Sequence, residues 1–247
     1  MHGYNWICYT CNMGKDINKH IISFSGGKDS TAMLLMMIEK NIPIDKIIFC
    51  DTGMEFPQMY NHIEKVEKYI QRPIITLKAK HSFEYWLAEH IKTKGKNKGK
   101  IGYGWSDFRN RWCTTLLKIN VMRPYCKGNI EYHGIAYDER QRCKTIKNRN
   151  IKYPLVDWKI TEKHALRYCY NKGFDWGGLY DKFVRVSCWC CPLQRIGELR
   201  ILYYNFPELW QELKRLDKLS YRKFRNDYSV EELEQKFKYE RKIKVNY

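Results

Sequence analysis

The sequence predicts an α/β protein: a doubly wound, mostly parallel sheet followed by a helical, basic C-terminal part. Three observations carry that prediction. Short apolar runs alternate with helical stripes through the first half of the chain, the pattern of βαβ units covered on both faces. The first of those runs stops at a Gly-Gly pair that opens a helix, and ligands of parallel sheets sit beyond such strand ends. With 247 residues, 44% of them hydrophobic and 15% aromatic, the chain can bury a large core and is not a disordered polymer.

Taken in order, His20–Ser25 (HIISFS) reads as a buried strand and Ser30–Lys40 (STAMLLMMIEK) as a largely buried helix, closed by Asn41 and Pro43. Ile44–Cys50 is a second strand. Met59, Ile63, Val66 and Ile70 recur at spacings of 4, 3 and 4, a helical stripe. Ile74–Ala79 and Ile130–Ile135 are the third and fourth strands. Pro207–Leu219 starts with Pro at the first helical position, and Ser229 with Glu232 forms a capping box for a last helix. The expected organisation is an N-terminal segment over 1–19, an α/β domain over 20–192 and a helical basic extension over 193–247.

Charge and cysteine content bound the function classes. The 45 Lys and Arg against 27 Asp and Glu give a net charge of +18, which implies a polyanionic partner. The charge is concentrated. Lys92–Lys100 (KTKGKNKGK) holds five Lys and no acid, and reads as a mobile loop; residues 214–247 hold 11 basic against 6 acidic residues. Both are candidate DNA or tRNA contacts. No apolar run approaches the ~18 residues of a membrane span, and the first residues lack the apolar region of a signal peptide. No membrane partner and a cytoplasmic location are therefore expected. Ten Cys are too dilute for a disulfide scaffold and point to metal binding or catalysis.

SFSGGKDST (Ser23–Thr31) is the strongest local signal. Adjacent glycines let the backbone turn tightly against a ligand, and the helix that follows offers its positive end. Lys28 adds a cation, and Ser25, Ser30 and Thr31 add hydroxyls, a set suited to phosphate or pyrophosphate. The loop is not a Walker A, because Ile22 stands where the first Gly belongs and Asp29 where Ser or Thr belongs. Two C-x-x-C pairs, Cys8/Cys11 and Cys188/Cys191 with Cys190 between the latter, can each place two thiolates on one metal or cluster. Cys50, Cys126, Cys143 and Cys169 read as core or incidental.

SGGKDS after a strand resembles the PP-loop of the adenine-nucleotide α-hydrolase superfamily. CDTGMEFP (Cys50–Pro57), GIAYDERQR (Gly134–Arg142), YPLVDW (Tyr153–Trp158) and LYDKFVRVSCWCCP (Leu179–Pro192) narrow the resemblance. Together they are similar to the phosphoadenosine phosphosulfate (PAPS) reductase family and its relatives in DNA and RNA sulfur modification, over roughly Ile21–Pro192. The resemblance implies a nucleotide, ATP or PAPS, with its phosphates on Ser25, Gly26, Gly27, Lys28, Asp29 and Ser30. Asp51, Thr52 and Gly53 would lie near the adenosine, and Gly134, Asp138, Glu139 and Arg142 would close the pocket. Lys28, Asp29 and Asp51 are the implied catalytic residues, with Mg²⁺ as the ion on the pyrophosphate. Ala136 departs from the pattern, which often has Arg there. RWCTTLLK, with Cys113, resembles a segment that carries iron–sulfur cysteines in some members. Cys113 with Cys188 and Cys191, helped by Cys190, would hold such a cluster. A structural zinc on Cys8, Cys11, Cys188 and Cys191, or plain buried thiols, are the alternatives.

Three functions follow. The first is an ATP pyrophosphatase that adenylates an acceptor for sulfur transfer in nucleic-acid modification, working with partner proteins of such a system. The second is a PAPS or adenylyl-sulfate reductase. The family's reductases use a late cysteine in a Cys-Gly pair, and the 56 residues after Cys191 contain no Cys. The third is a non-catalytic nucleic-acid-binding or regulatory protein with a retained nucleotide pocket.

Overall fold

The computed structural model describes residues 18–147 and 149–245. Five parallel strands form one sheet in the order β3-β2-β1-β4-β5: β1 (His20–Phe24), β2 (Lys46–Asp51), β3 (Ile74–Lys78), β4 (Ile130–His133) and β5 (Asn150–Lys152). The four strands expected from the sequence are present; β5, three residues long, carries too little apolar pattern to be recognised. Side chains alternate across the sheet. Ile22, Phe24, Ile47 and Phe49 enter the main core, while Ile21, Ile48 and Cys50 join a smaller core with Cys126 on the other face.

Helices α1 (Lys28–Glu39) and α2 (Pro57–Ile70) return from β1 and β2. After β3 the chain crosses to the far side of β1 through α3 (Trp112–Thr114), a π-helical turn (Thr115–Ile119) and α4 (Asn120–Cys126). The strand order therefore reverses between β1 and β4. In parallel sheets, ligand sites lie beyond the carboxyl ends of the strands at such a switch point.

Beyond β5 the chain is helical: α5 (Pro154–Asp157), α6 (Glu162–Asn171), α7 (Leu179–Lys182), α8 (Ile196–Asn205), α9 (Pro207–Leu219) and α10 (Val230–Val245). The apolar core continues from the sheet into these helices. Phe56 packs on Phe183 and Phe206, and Trp105 on Phe224, with ring centroids 4.9 to 5.3 Å apart. The capping box forms as expected: the Glu232 amide donates to Ser229 Oγ at 3.1 Å and the Ser229 amide to Glu232 Oε2 at 2.6 Å.

Lys92–Lys100 is the end of a short hairpin, in which Lys92 N donates to Lys100 O, Gly99 N donates to Lys92 O, and Ile91 bridges Ile101. Glycines at 95 and 99 take positive φ, which lets the tip turn back on itself.

Candidate active site

β1 ends at Phe24, and the next four residues turn into the first turn of α1. Gly26 has φ +75°, and a Cβ there would press on Ile63 and Met59 at 3.1–3.2 Å. The turn is fastened from behind. Trp176 Nε1 donates to Gly26 O at 2.7 Å, Tyr180 Oη accepts from Lys28 N at 2.9 Å, and the Ser25 and Ser30 hydroxyls meet at 3.0 Å. Thr31 Oγ1 lies 3.0 Å from His62 Nε2; burial holds that imidazole neutral, its pKa lowered to about 3. Gly134, just past β4, packs on the same turn: a Cβ there would lie 2.6 Å from Ser30 Cα. The loops after β1 and β4 thus close on each other, and only glycine fits at 134.

Charge collects at this turn. Lys28 is buried, with Nζ 3.3 Å from Glu162 and 3.5 Å from Asp29. Carboxylate oxygens of Asp29, Glu139 and Glu162 lie within 4.8 Å of one another. Asp29 Oδ1 is buried without a hydrogen-bond partner. Burial is the largest cause that raises the Asp29 pKa to about 6; Lys28 opposes it, and Glu162 and Glu139 add to it. Asp138 accepts from the Glu162 amide at 3.0 Å and so orients the start of α6, while Arg142 pairs with Glu139. Ala136 is fully buried. Sequence reasoning missed Glu162 and Tyr180. The Thr161 cap, whose Oγ1 accepts from His164 N, marks a helix start, but nothing local says that Glu162 reaches the first loop.

At the end of β2, Asp51 Oδ1 accepts from the Gly53 amide at 2.8 Å and the Tyr60 hydroxyl at 2.7 Å, and Lys78 lies 3.3 Å from Oδ2. Burial would raise its pKa, but these donors outweigh burial and hold it below the usual value. Asp51 thereby fixes the turn that carries Thr52 and Gly53. This turn touches the cysteine segment: Cys188 Sγ lies 3.8 Å from Thr52 Oγ1 and 3.6 Å from Glu55 Oε1, which also pairs with Lys118 at 3.2 Å. Trp189 N donates to Met54 O at 3.0 Å.

Cys188, Cys190 and Cys191 lie on one turn, and Cys113 is an electrostatic neighbour of Cys190 and Cys191. Burial pushes the thiols of Cys188, Cys190 and Cys191 up. Four thiolates on one tetrahedral zinc would stand about 3.8 Å apart, from Zn–S bonds of about 2.3 Å. Among the described residues, only the three carboxylates close to within 4.8 Å as a group. The four cysteines converge without gathering on a single-ion scale. Cys8 and Cys11 lie outside the described residues.

A model of the phosphoadenosine phosphosulfate reductase domain matches residues 19–194. The chain belongs to this family. The match runs from the residue before β1 to just past the cysteine turn, so both clusters lie inside the PAPS reductase domain. An uncharacterized protein of Methanocaldococcus jannaschii is 26% identical over 224 residues, which cover 84% of this chain and 43% of that protein. The chain therefore spans less than half the length of that relative. An adenosine 5'-phosphosulfate reductase of Geobacillus kaustophilus is 27% identical over 179 residues, covering 64% of this chain and 67% of that one. A PAPS reductase from Candida auris, solved as a phosphate complex, superposes with a TM-score of 0.49 at 20% identity, over 68% of this chain and 81% of that one. No helix among the described residues is long and apolar enough to cross a membrane.

Proposed function

We propose that this PAPS reductase-family protein is an ATP pyrophosphatase that adenylates an acceptor for sulfur transfer, the acceptor being a nucleic acid. The observation that carries this reading is the three-carboxylate cluster at the phosphate loop. Three carboxylates around a single buried lysine would repel a bare sulfonucleotide. They suit a nucleotide that arrives with a hard divalent cation, whose preferred ligands are oxygens. The orphaned Oδ1 of Asp29 fits such an ion, and Asp29, Glu139 and Glu162 would hold it; bound Mg²⁺ supplies neutralising charge to the departing pyrophosphate.

The protein's own groups then act by position and charge. The loop backbone at Gly26 and Gly27 and the positive end of α1 take the phosphates, and Lys28 Nζ exchanges a carboxylate for a phosphate oxygen. The acceptor oxygen attacks the α-phosphorus and the bond to the β-phosphate oxygen breaks. Pyrophosphate leaves, and sulfur later displaces AMP from the acceptor. Cys113, Cys188 and Cys191, half-buried around the buried Cys190, with Cys188 beside Thr52 and Glu55 and with Lys118, Arg111 and Arg185 nearby, are suited to an iron–sulfur cluster near the nucleotide. A cluster of several metal ions needs its ligands farther apart than one zinc does.

The reductase reading has the Geobacillus relative in its favour. It requires a nucleophilic thiolate, which one of Cys188, Cys190 and Cys191 would have to supply. Incubation with ATP and Mg²⁺, and separately with adenylyl sulfate or PAPS and a thiol reductant, separates the two. AMP and pyrophosphate from ATP are expected. ADP, or release of sulfite from the sulfonucleotides with ATP left intact, would overturn the reading.

A further inference from the structure

Lys92 is out of place as a surface lysine. Its residue is 8% exposed, and among the described residues no carboxylate lies within 4.0 Å of its ammonium. Its contacts are the Tyr221 hydroxyl at 2.9 Å and the faces of Tyr221 and Tyr103, 4.8 and 5.5 Å from the ring centroids. A buried cation without a counter-anion is costly unless an anion completes it. Tyr221 is the converse case: 59% exposed, yet its hydroxyl is bound on both sides, accepting from Lys92 and donating to Tyr103 O at 3.1 Å. Its ring is a flat platform held in place before any ligand comes.

Both residues line a cavity of about 600 Å³ that also takes Lys94, Lys96 and Arg222 and has no acidic residue in its wall. That volume lies in the ordinary range for a small-ligand site and holds one nucleotide unit. Arg222 is shared with a second cavity of about 280 Å³, walled by Phe108, Ser106 and Pro192, in which Asp107 pairs with Arg222 and Asp227 with Arg225. Phe108 is 66% exposed with the Arg109 guanidinium 5.1 Å from its ring centroid. The second cavity ends at the cysteines: Ser106 Oγ is 3.7 Å from Cys113 Sγ, and Pro192 follows Cys191.

We infer that the two cavities form a track for single-stranded nucleic acid. A base stacks on Tyr221 and the next on Phe108; phosphates complete Lys92 and meet Lys94 and Lys96, while Arg222 stays paired with Asp107; the strand leads to the cysteine cluster. Stacking platforms alternating with cations are how single strands are held without sequence preference, and a duplex cannot offer its base faces. The inference rests on the nucleic-acid acceptor proposed above and locates it.

Fluorescence anisotropy with labelled oligo-dT, oligo-rU and a duplex, over a salt series, tests it on the full chain. The single strands should bind more tightly than the duplex. Tyr221→Leu should weaken them about 5- to 150-fold, the stacking contribution of one base. Lys94→Ser with Lys96→Ser should lower the log–log salt slope by about 1.4, at roughly 0.7 per phosphate contact on a single strand. Melting curves identify variants that fold. Wild-type binding that folded variants reproduce in affinity and slope, or equal affinity for the duplex, would overturn the track and leave the acceptor reading standing. Absence of any nucleic-acid binding by the wild type at low salt would overturn both.

Discussion

Replacing Asp29 with Asn should make the ligand-free protein more stable at neutral pH while removing its response to Mg²⁺–ATP. Asp29 has a native pKa of about 6 against an ordinary value of 3.8. Between these two values the unfolded chain gives up its proton while the native state keeps it. The native state therefore binds more protons, and stability falls as pH rises through that window. Above the native pKa the loss is complete and amounts to about 3 kcal/mol, from roughly 1.36 kcal/mol per pKa unit. The side chain is 17% exposed, so solvent screening takes little from that figure. Asn cannot ionise and keeps the shape, and Lys28 retains Glu162 at 3.3 Å. Urea denaturation near pH 7.5 should show Asp29→Asn about 3 kcal/mol more stable, with the gain falling to roughly half near pH 5. In thermal melts this is a rise of roughly 6–12 °C. Addition of Mg²⁺ and ATP should raise the melting temperature of the wild type only, since a ligand stabilises the state that binds it. A variant no more stable than wild type, or a gain equal at both pH values, would refute the account of this carboxylate.

Gly134→Ala should destabilise the protein by about 1–3 kcal/mol through overpacking, because the new Cβ would meet Ser30 Cα at 2.6 Å and Ser30 N at 2.7 Å; it should also weaken nucleotide binding in calorimetry, and wild-type behaviour in both would show that the two loops are not in contact. Lys28→Ala should abolish nucleotide binding and also lower stability, since Lys28 is buried against two carboxylates; loss of binding at unchanged stability would contradict that burial. Double substitution of Cys188 and Cys191 to Ser should remove iron and sulfide, or zinc, from anaerobically purified protein, and unchanged metal content would rule the site out. Ser229→Ala should cost about 1 kcal/mol in urea denaturation by uncapping α10, and no change would mean that the hydrogen bond to Glu232 N is worth nothing in solution.

The parts of this protein legible in its sequence are those whose physics is local. A strand, a Gly-Gly turn and a helix N-terminus follow one another within Ser23–Thr31, so the phosphate loop is readable from the backbone demands of adjacent residues. Helix α9 runs from Pro207 to Leu219 as the Pro and the apolar spacing require, and the Ser229–Glu232 box forms because both partners lie within one turn. The ordered set of motifs also carried the family, since the matched span of 19–194 nearly coincides with the segment the motifs cover. What depended on the tertiary structure is every effect that needs two distant charges or rings to meet. Glu162 joins Asp29 only because α6 starts behind the first loop; the same approach turns Lys28 from a free cation into a buried ion-paired one. In the sequence Lys92 is one of five equivalent lysines; only the folded hairpin sets it against Tyr221, 129 positions away in the chain. Cys113 reaches the neighbourhood of Cys190 and Cys191 by the same kind of long-range closure. Burial and counter-charge belong to the packed molecule, and residue type and spacing do not contain them.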